Sequence, residues 1–164
     1  MILIACIGNI FLGDDGFGTE VARQLVGRPL PPDVILKDFG IRGLDLTYAL
    51  LEPYDLVILV DAYARGGVPG SICLLEPDPG KGDAPAQLET HGMNPVNVLR
   101  MVKSMGGPPN RVLLVGCEPL DLGSDEEGKL GLSEPVAAAV GEAVKMIEKL
   151  CAEALCTEAM MHSN

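Results

Sequence analysis

The sequence predicts a three-layer α/β/α sandwich: a mostly parallel, twisted sheet of about five strands with helices on both faces. Continuous apolar runs recur along the chain without polar alternation, as strands buried on both faces do. Between them, apolar residues return at spacings of three and four, the pattern of helices that cover such a sheet. A length of 164 residues fits one domain. Its expected extent is residues 1–151, with 152–164 a tail that frays after the last helix.

Taken in order, Ile2-Leu3-Ile4-Ala5-Cys6-Ile7 makes the first strand and stops at Gly8-Asn9. After Gly18, Val21, Ala22, Leu25 and Val26 give one helical stripe. Val34-Ile35-Leu36-Lys37 is a second strand, closed by Asp38, and Leu44, Leu46, Tyr48 and Leu51 mark a short helix. Leu56-Val57-Ile58-Leu59-Val60 is the third strand, ending at Asp61. Ser71-Ile72-Cys73-Leu74-Leu75 follows a short Gly/Pro-rich return, which predicts an antiparallel hairpin partner at an edge. Residues 76–92 are the longest irregular stretch, of a length that usually signals function or mobility. Pro95 suits the first turn of a helix carrying Val96, Val98, Leu99 and Val102. Val112-Leu113-Leu114-Val115 ends at Gly116-Cys117. Ser133 then reads as the N-cap of a helix with Val136, Val140, Ala143, Val144, Ile147 and Leu150 on one face.

The 23 acids outnumber the 12 bases, for a formal charge of −11. A surface this negative repels phosphate at long range, which argues against a nucleic-acid or anionic-membrane partner. Five scattered Cys without a C-x-x-C pair read as reduced, mostly buried thiols, so a cytoplasmic location is expected. The apolar run at Ile2–Ile7 is too short for a signal peptide or a membrane span.

In an open parallel sheet, ligands bind beyond the carboxyl ends of the strands. Asp14 and Asp15 follow the first strand, Asp38 the second and Asp61 the third. The loop Gly8–Gly18 does not have the G-x-G-x-x-G spacing of a dinucleotide site, and its paired carboxylates oppose a pyrophosphate. A cation suits it better, although Asp14 reads more simply as a cap of the following helix. Asp61 ends a strongly apolar strand, where a carboxylate needs loop N–H groups, a partner or a cation. His91 lies in the long loop. Asp15, Asp61 and His91 together form an O/O/N set for a borderline divalent ion such as nickel or zinc, with positions left open. The acids Glu118, Asp121, Asp125, Glu126 and Glu127 do not match a calcium loop and read as a solvated segment.

Gly8-Asn9-Ile10-Phe11-Leu12-Gly13-Asp14-Asp15-Gly16-Phe17-Gly18 resembles the G-N-x-L-x-x-D-[DE]-G-x-G opening of the hydrogenase maturation endopeptidases. Val60-Asp61-Ala62, His91 before a helix, Gly116-Cys117-Glu118-Pro119 and Gly131-Leu132-Ser133 extend the likeness over residues 1–150. The resemblance implies an aspartic-type endopeptidase. It would remove the C-terminal extension of a [NiFe] hydrogenase large-subunit precursor once nickel is inserted, cutting just after a basic residue. It places the metal contacts on Asp15, Asp61 and His91. The nickel would come mainly from the substrate, with zinc or cadmium able to occupy the site in vitro. A segment similar to D-G-G-T-x-G falls on Asp38-Phe39-Gly40-Ile41-Arg42-Gly43, from which Phe39 and Ile41 depart. With Asp15 and Asp61, Asp38 is a catalytic candidate, as base or positioning residue. No G-x-S-x-G and no H-E-x-x-H is present. The expected state is a monomer that meets the precursor. The alternative is a nickel-sensing escort with the same ligands and no hydrolysis.

Overall fold

Six residues of unbroken apolar sequence make strand β1 (Ile2–Ile7), which is buried along its whole length. Its alternating side chains therefore feed two separate cores. The computed structural model describes residues 1–78, 94–107, 111–124 and 126–161. The other strands are β2 (Val34–Gly40), β3 (Leu56–Ala62), β4 (Ile72–Leu75) and β5 (Val112–Cys117), in the sheet order β2-β1-β3-β5-β4. All neighbours are parallel except β4, which runs antiparallel to β5. The helices are α1 (Phe17–Val26), α2 (Gly43–Ala49), α3 (Pro95–Met105) and α4 (Glu134–Met161), with a 3-10 turn at Gly13–Gly16.

Ile2, Ile4 and Cys6 join Ile58, Val60 and Val115 beneath α1 and α4, which supply Phe17, Val21, Leu25, Val140, Val144 and Ile147. Leu3, Ala5 and Ile7 join Val57, Leu59 and Leu114 beneath α2 and α3, which supply Leu46, Val98, Leu99 and Val102. This is the three-layer arrangement that the apolar runs predict. The Asn94 side chain accepts from the Val96 N–H at 2.9 Å to cap α3, with Pro95 in its first turn.

Four details differ from the sequence reading. β4 is an antiparallel edge strand, but it pairs with β5 and not with β3 in a hairpin; β5 lies between the two. β2 runs through Asp38 to Gly40, with an irregularity in its pairing between Cys6 and Ile7. In α2, Leu46 is buried while Leu44 and Tyr48 are 61% and 57% exposed, and Val26 of α1 is 76% exposed. Finally, α4 continues to Met161, past the point where fraying is expected, and packs Ala154 and Leu155 against the core. Among the described residues, no helix is long and apolar enough to cross a membrane.

Candidate active site

β1 and β3 are parallel neighbours, so the loop after β1 and the end of β3 adjoin at the carboxyl edge of the sheet, where folds of this kind bind ligands. Gly8, immediately after β1, lets the turn that carries Asp15 fold back against it. A Cβ on Gly8 would stand 2.3 Å from the Asp15 carbonyl oxygen. The Asn9 N–H donates both to that carbonyl (3.2 Å) and to Asp15 Oδ2 (3.1 Å), and Asn9 Oδ1 accepts from the Phe11 N–H at 3.0 Å. Asp15 is thereby held, partly buried, above the end of β1. Gly8→Ala should displace this turn and cost about 1–3 kcal/mol of stability, a change read in a thermal melt followed by circular dichroism.

Asp61, near the end of β3, is 5% exposed. Burial pushes its carboxyl well above the usual carboxylate range, and the negative charge of Asp15 pushes it further; a hydrogen bond from the Ala62 backbone pulls weakly the other way. The structure therefore brings Asp15 and Asp61 together as electrostatic neighbours. Asp38 lies on the other side of β1, in register with Cys6, and is exposed. Its Oδ1 accepts from the Gly40 N–H (2.9 Å) and from Thr19 Oγ1 (3.3 Å) on α1. Asp38 and Asp61 both act on the buried Cys6 thiol between them, which burial first and these charges second hold far above its ordinary value. His91 lies outside the described residues. Among those described, no group of three or more His, Cys, Asp or Glu is placed to hold a metal ion.

Two acids have roles that the sequence did not reveal. Asp14, expected to cap α1, makes no such bond and is fully buried. Its Oδ2 accepts from the Leu120 N–H (2.8 Å), the Asp121 N–H (2.9 Å) and the Ser133 hydroxyl (2.9 Å), and its Oδ1 from the Ser133 N–H (2.6 Å). It ties the first loop to the segment before α4. Asp14→Ala should cost about 2 kcal/mol by stranding these donors, measurable in a urea melt. Glu118 is not solvated either: it is 7% exposed and accepts from the Arg65 N–H (2.7 Å) and the Gly66 N–H (3.2 Å). Partners so remote in sequence leave no local signal. Asp121 pairs with Lys129, as a surface acid would.

Two neighbouring carboxylates at one sheet edge, one of them desolvated, can share a proton or a cation. The first arrangement supplies an acid and a base at neutral pH. The second supplies two hard oxygen donors to an ion that arrives from outside.

Comparison with known proteins gives a consistent picture. Residues 19–150 match the family model described as hydrogenase maturation protease. The hydrogenase expression/formation protein HupD of Rhodobacter capsulatus is 32% identical over 152 residues, covering 88% of this chain and 70% of that one. The hydrogenase 2 maturation protease of Escherichia coli is 25% identical over 147 residues, covering 89% and 87%. In three dimensions the chain is similar to the hydrogenase maturating endopeptidase HybD of E. coli, with a TM-score of 0.75 and 27% identity over 93% of this chain and 92% of that one. It is also similar to the [NiFe] hydrogenase maturation protease HycI of Thermococcus kodakarensis, with a TM-score of 0.66 and 29% identity over 92% and 91%.

Proposed function

The chain belongs to the hydrogenase maturation protease family and is a peptidase, and from that premise we propose that it removes the C-terminal extension of a [NiFe] hydrogenase large-subunit precursor after nickel insertion. The nickel is part of the substrate in this reading. Asp15 and Asp61 offer it oxygen donors, and His91 adds a nitrogen. The observation that carries the reading is the approach of Asp15 to the buried Asp61, a pair whose repulsion a divalent cation relieves. Without the cation, Asp61 resists ionising and the site is a poor oxygen ligand. With it, the proton leaves and both carboxylates engage, so recognition depends on the metal being present.

Hydrolysis also needs a water activated by a base. Asp38 is our candidate for base or positioning residue, its carboxylate steered by the Thr19 hydroxyl and the Gly40 N–H. The protein acts as a monomer in this reading. The test is incubation with nickel-loaded and nickel-free precursor, followed by mass measurement of the precursor C-terminus. Loss of the extension only from the nickel-loaded form is the expected result. Equal cutting of both forms removes the role of nickel, and binding without mass loss removes the hydrolysis.

A further inference from the structure

Beside the Asp15 turn, the surface of this acidic chain becomes mostly apolar. A groove of about 490 Å³ runs from that turn along α1 to the first turns of α4. Ile10 and Leu130 form its walls, and Leu132 and Val140 lie at its base. Gly13 and Gly16, the two ends of the turn that carries Asp15, line it as well. Ile10 is 49% exposed and Leu130 74% exposed, and the adjoining Phe11 adds a ring that is 62% exposed.

The two walls come from segments remote in sequence, and backbone pairing fixes them to each other. The Lys129 N–H donates to the Phe11 carbonyl at 2.7 Å, and the Gly13 N–H donates to the Lys129 carbonyl at 2.8 Å. Two ion pairs lie on or beside the lining: Arg23 with Glu20 at 2.6 Å, and Lys129 with Asp121. In a chain of net charge −11, the described lining of this groove is thus mostly apolar, and its two ionic side chains, Glu20 and Arg23, pair with each other. Apolar side chains exposed together next to a site favour an apolar occupant.

We infer that this groove seats an apolar segment of the precursor polypeptide next to its cleavage site. The inference rests on the peptidase reading above and names the surface that reading lacks. A polypeptide that presents its scissile bond at Asp15 continues directly into the groove, because the turn bearing Asp15 is part of the groove wall. Docking there separates capture of the precursor from the chemistry, which stays with the carboxylates.

The experiment uses the full chain with Ile10→Asp and Leu130→Asp, and with Val68→Asp, which changes an exposed side chain outside the groove, as control. Cleavage rate against concentration of nickel-loaded precursor gives KM and kcat, and interferometry gives affinity independently of cutting. The expected result is a KM and a dissociation constant raised at least tenfold by each groove variant. In both, kcat stays within twofold and the melting temperature is unchanged, while Val68→Asp behaves as the parent. If either aspartate variant melts early, Ile10→Ser and Leu130→Ser take its place, with at least a threefold rise expected.

Affinity within twofold of the parent overturns the proposal, as does a fall in kcat at constant KM or an equal loss in the control. So does a parent dimer, seen by sedimentation, that Leu130→Asp dissociates, since the groove is then covered by a second copy. A parent that binds the precursor without cutting it counts against the peptidase reading alone, because the affinity comparison still decides the groove.

Discussion

Asp61→Asn should abolish processing and at the same time make the free protein harder to melt at neutral pH. The first effect follows from the place proposed for Asp61 at the reacting centre, where losing such a group typically costs about 10²–10⁴ in rate. The second follows from linkage. Burial and the charge of Asp15 raise the Asp61 carboxyl above its unfolded value, which is near 3.9 for an ordinary Asp. A raised folded-state value means that the native state binds the proton more tightly than the unfolded chain does. The resulting stability is fully present below the unfolded value and is lost as pH rises through the folded one. As pH rises above the unfolded value the parent progressively loses that contribution, whereas the neutral amide of Asn has no proton to lose at any pH. Melting curves from pH 4 to 8 should show the variant gaining on the parent as pH rises. A variant that melts below the parent at pH 8 contradicts the desolvation argument, and one that still processes the precursor removes Asp61 from the site. This opposition of activity and stability is what a strained functional carboxylate predicts.

Gly18→Val is expected to give the largest loss of stability. A Cβ at this position would fall 2.0 Å from the Ile7 carbonyl oxygen and 2.4 Å from that of Val60. Both obstacles are backbone atoms at the ends of the two central strands, so neither can rotate away. Helix α1 must lift off the sheet, which opens the packing of Phe17 and Val21 against Cys6 and Val60. Overpacking usually costs about 1–3 kcal/mol, and displacing two strand ends should bring this case to about 4 kcal/mol. For a protein of this size that is a fall of roughly 8–16 °C in melting temperature. Differential scanning calorimetry reads it directly, and a change under 3 °C shows that α1 does not bear on the strand ends as described.

The layers were legible in the sequence because each rests on a local period. β1 and β3 are unbroken apolar runs with no polar face, so nothing but a doubly covered strand accommodates them. The pairing of β4 was not legible, because the short return from β3 suggests a hairpin while the α3 crossover later places β5 between them. In α2, Leu44 with Tyr48 and Leu46 with Leu50 are two interleaved pairs at the same spacing. Only the tertiary position of the helix selects Leu46 and Leu50 for the core. The Asp15 and Asp61 pair was legible through its place at strand ends, where the sheet order converges them. The structural duties of Asp14 and Glu118 were not, because their donors lie on loops that only the finished fold brings near.

The thiol of Cys6 lies beneath these carboxylates, fully buried at the end of β1. Thiolate is the form that captures soft metals, attacks disulfides and is oxidised. Surrounded by apolar contacts and facing two negative charges, this sulfur stays protonated throughout the physiological range. The end of β1 is therefore chemically inert. In the proposed reading, an ion met by Asp15 and Asp61 finds oxygen donors and no thiolate from Cys6 to compete with them.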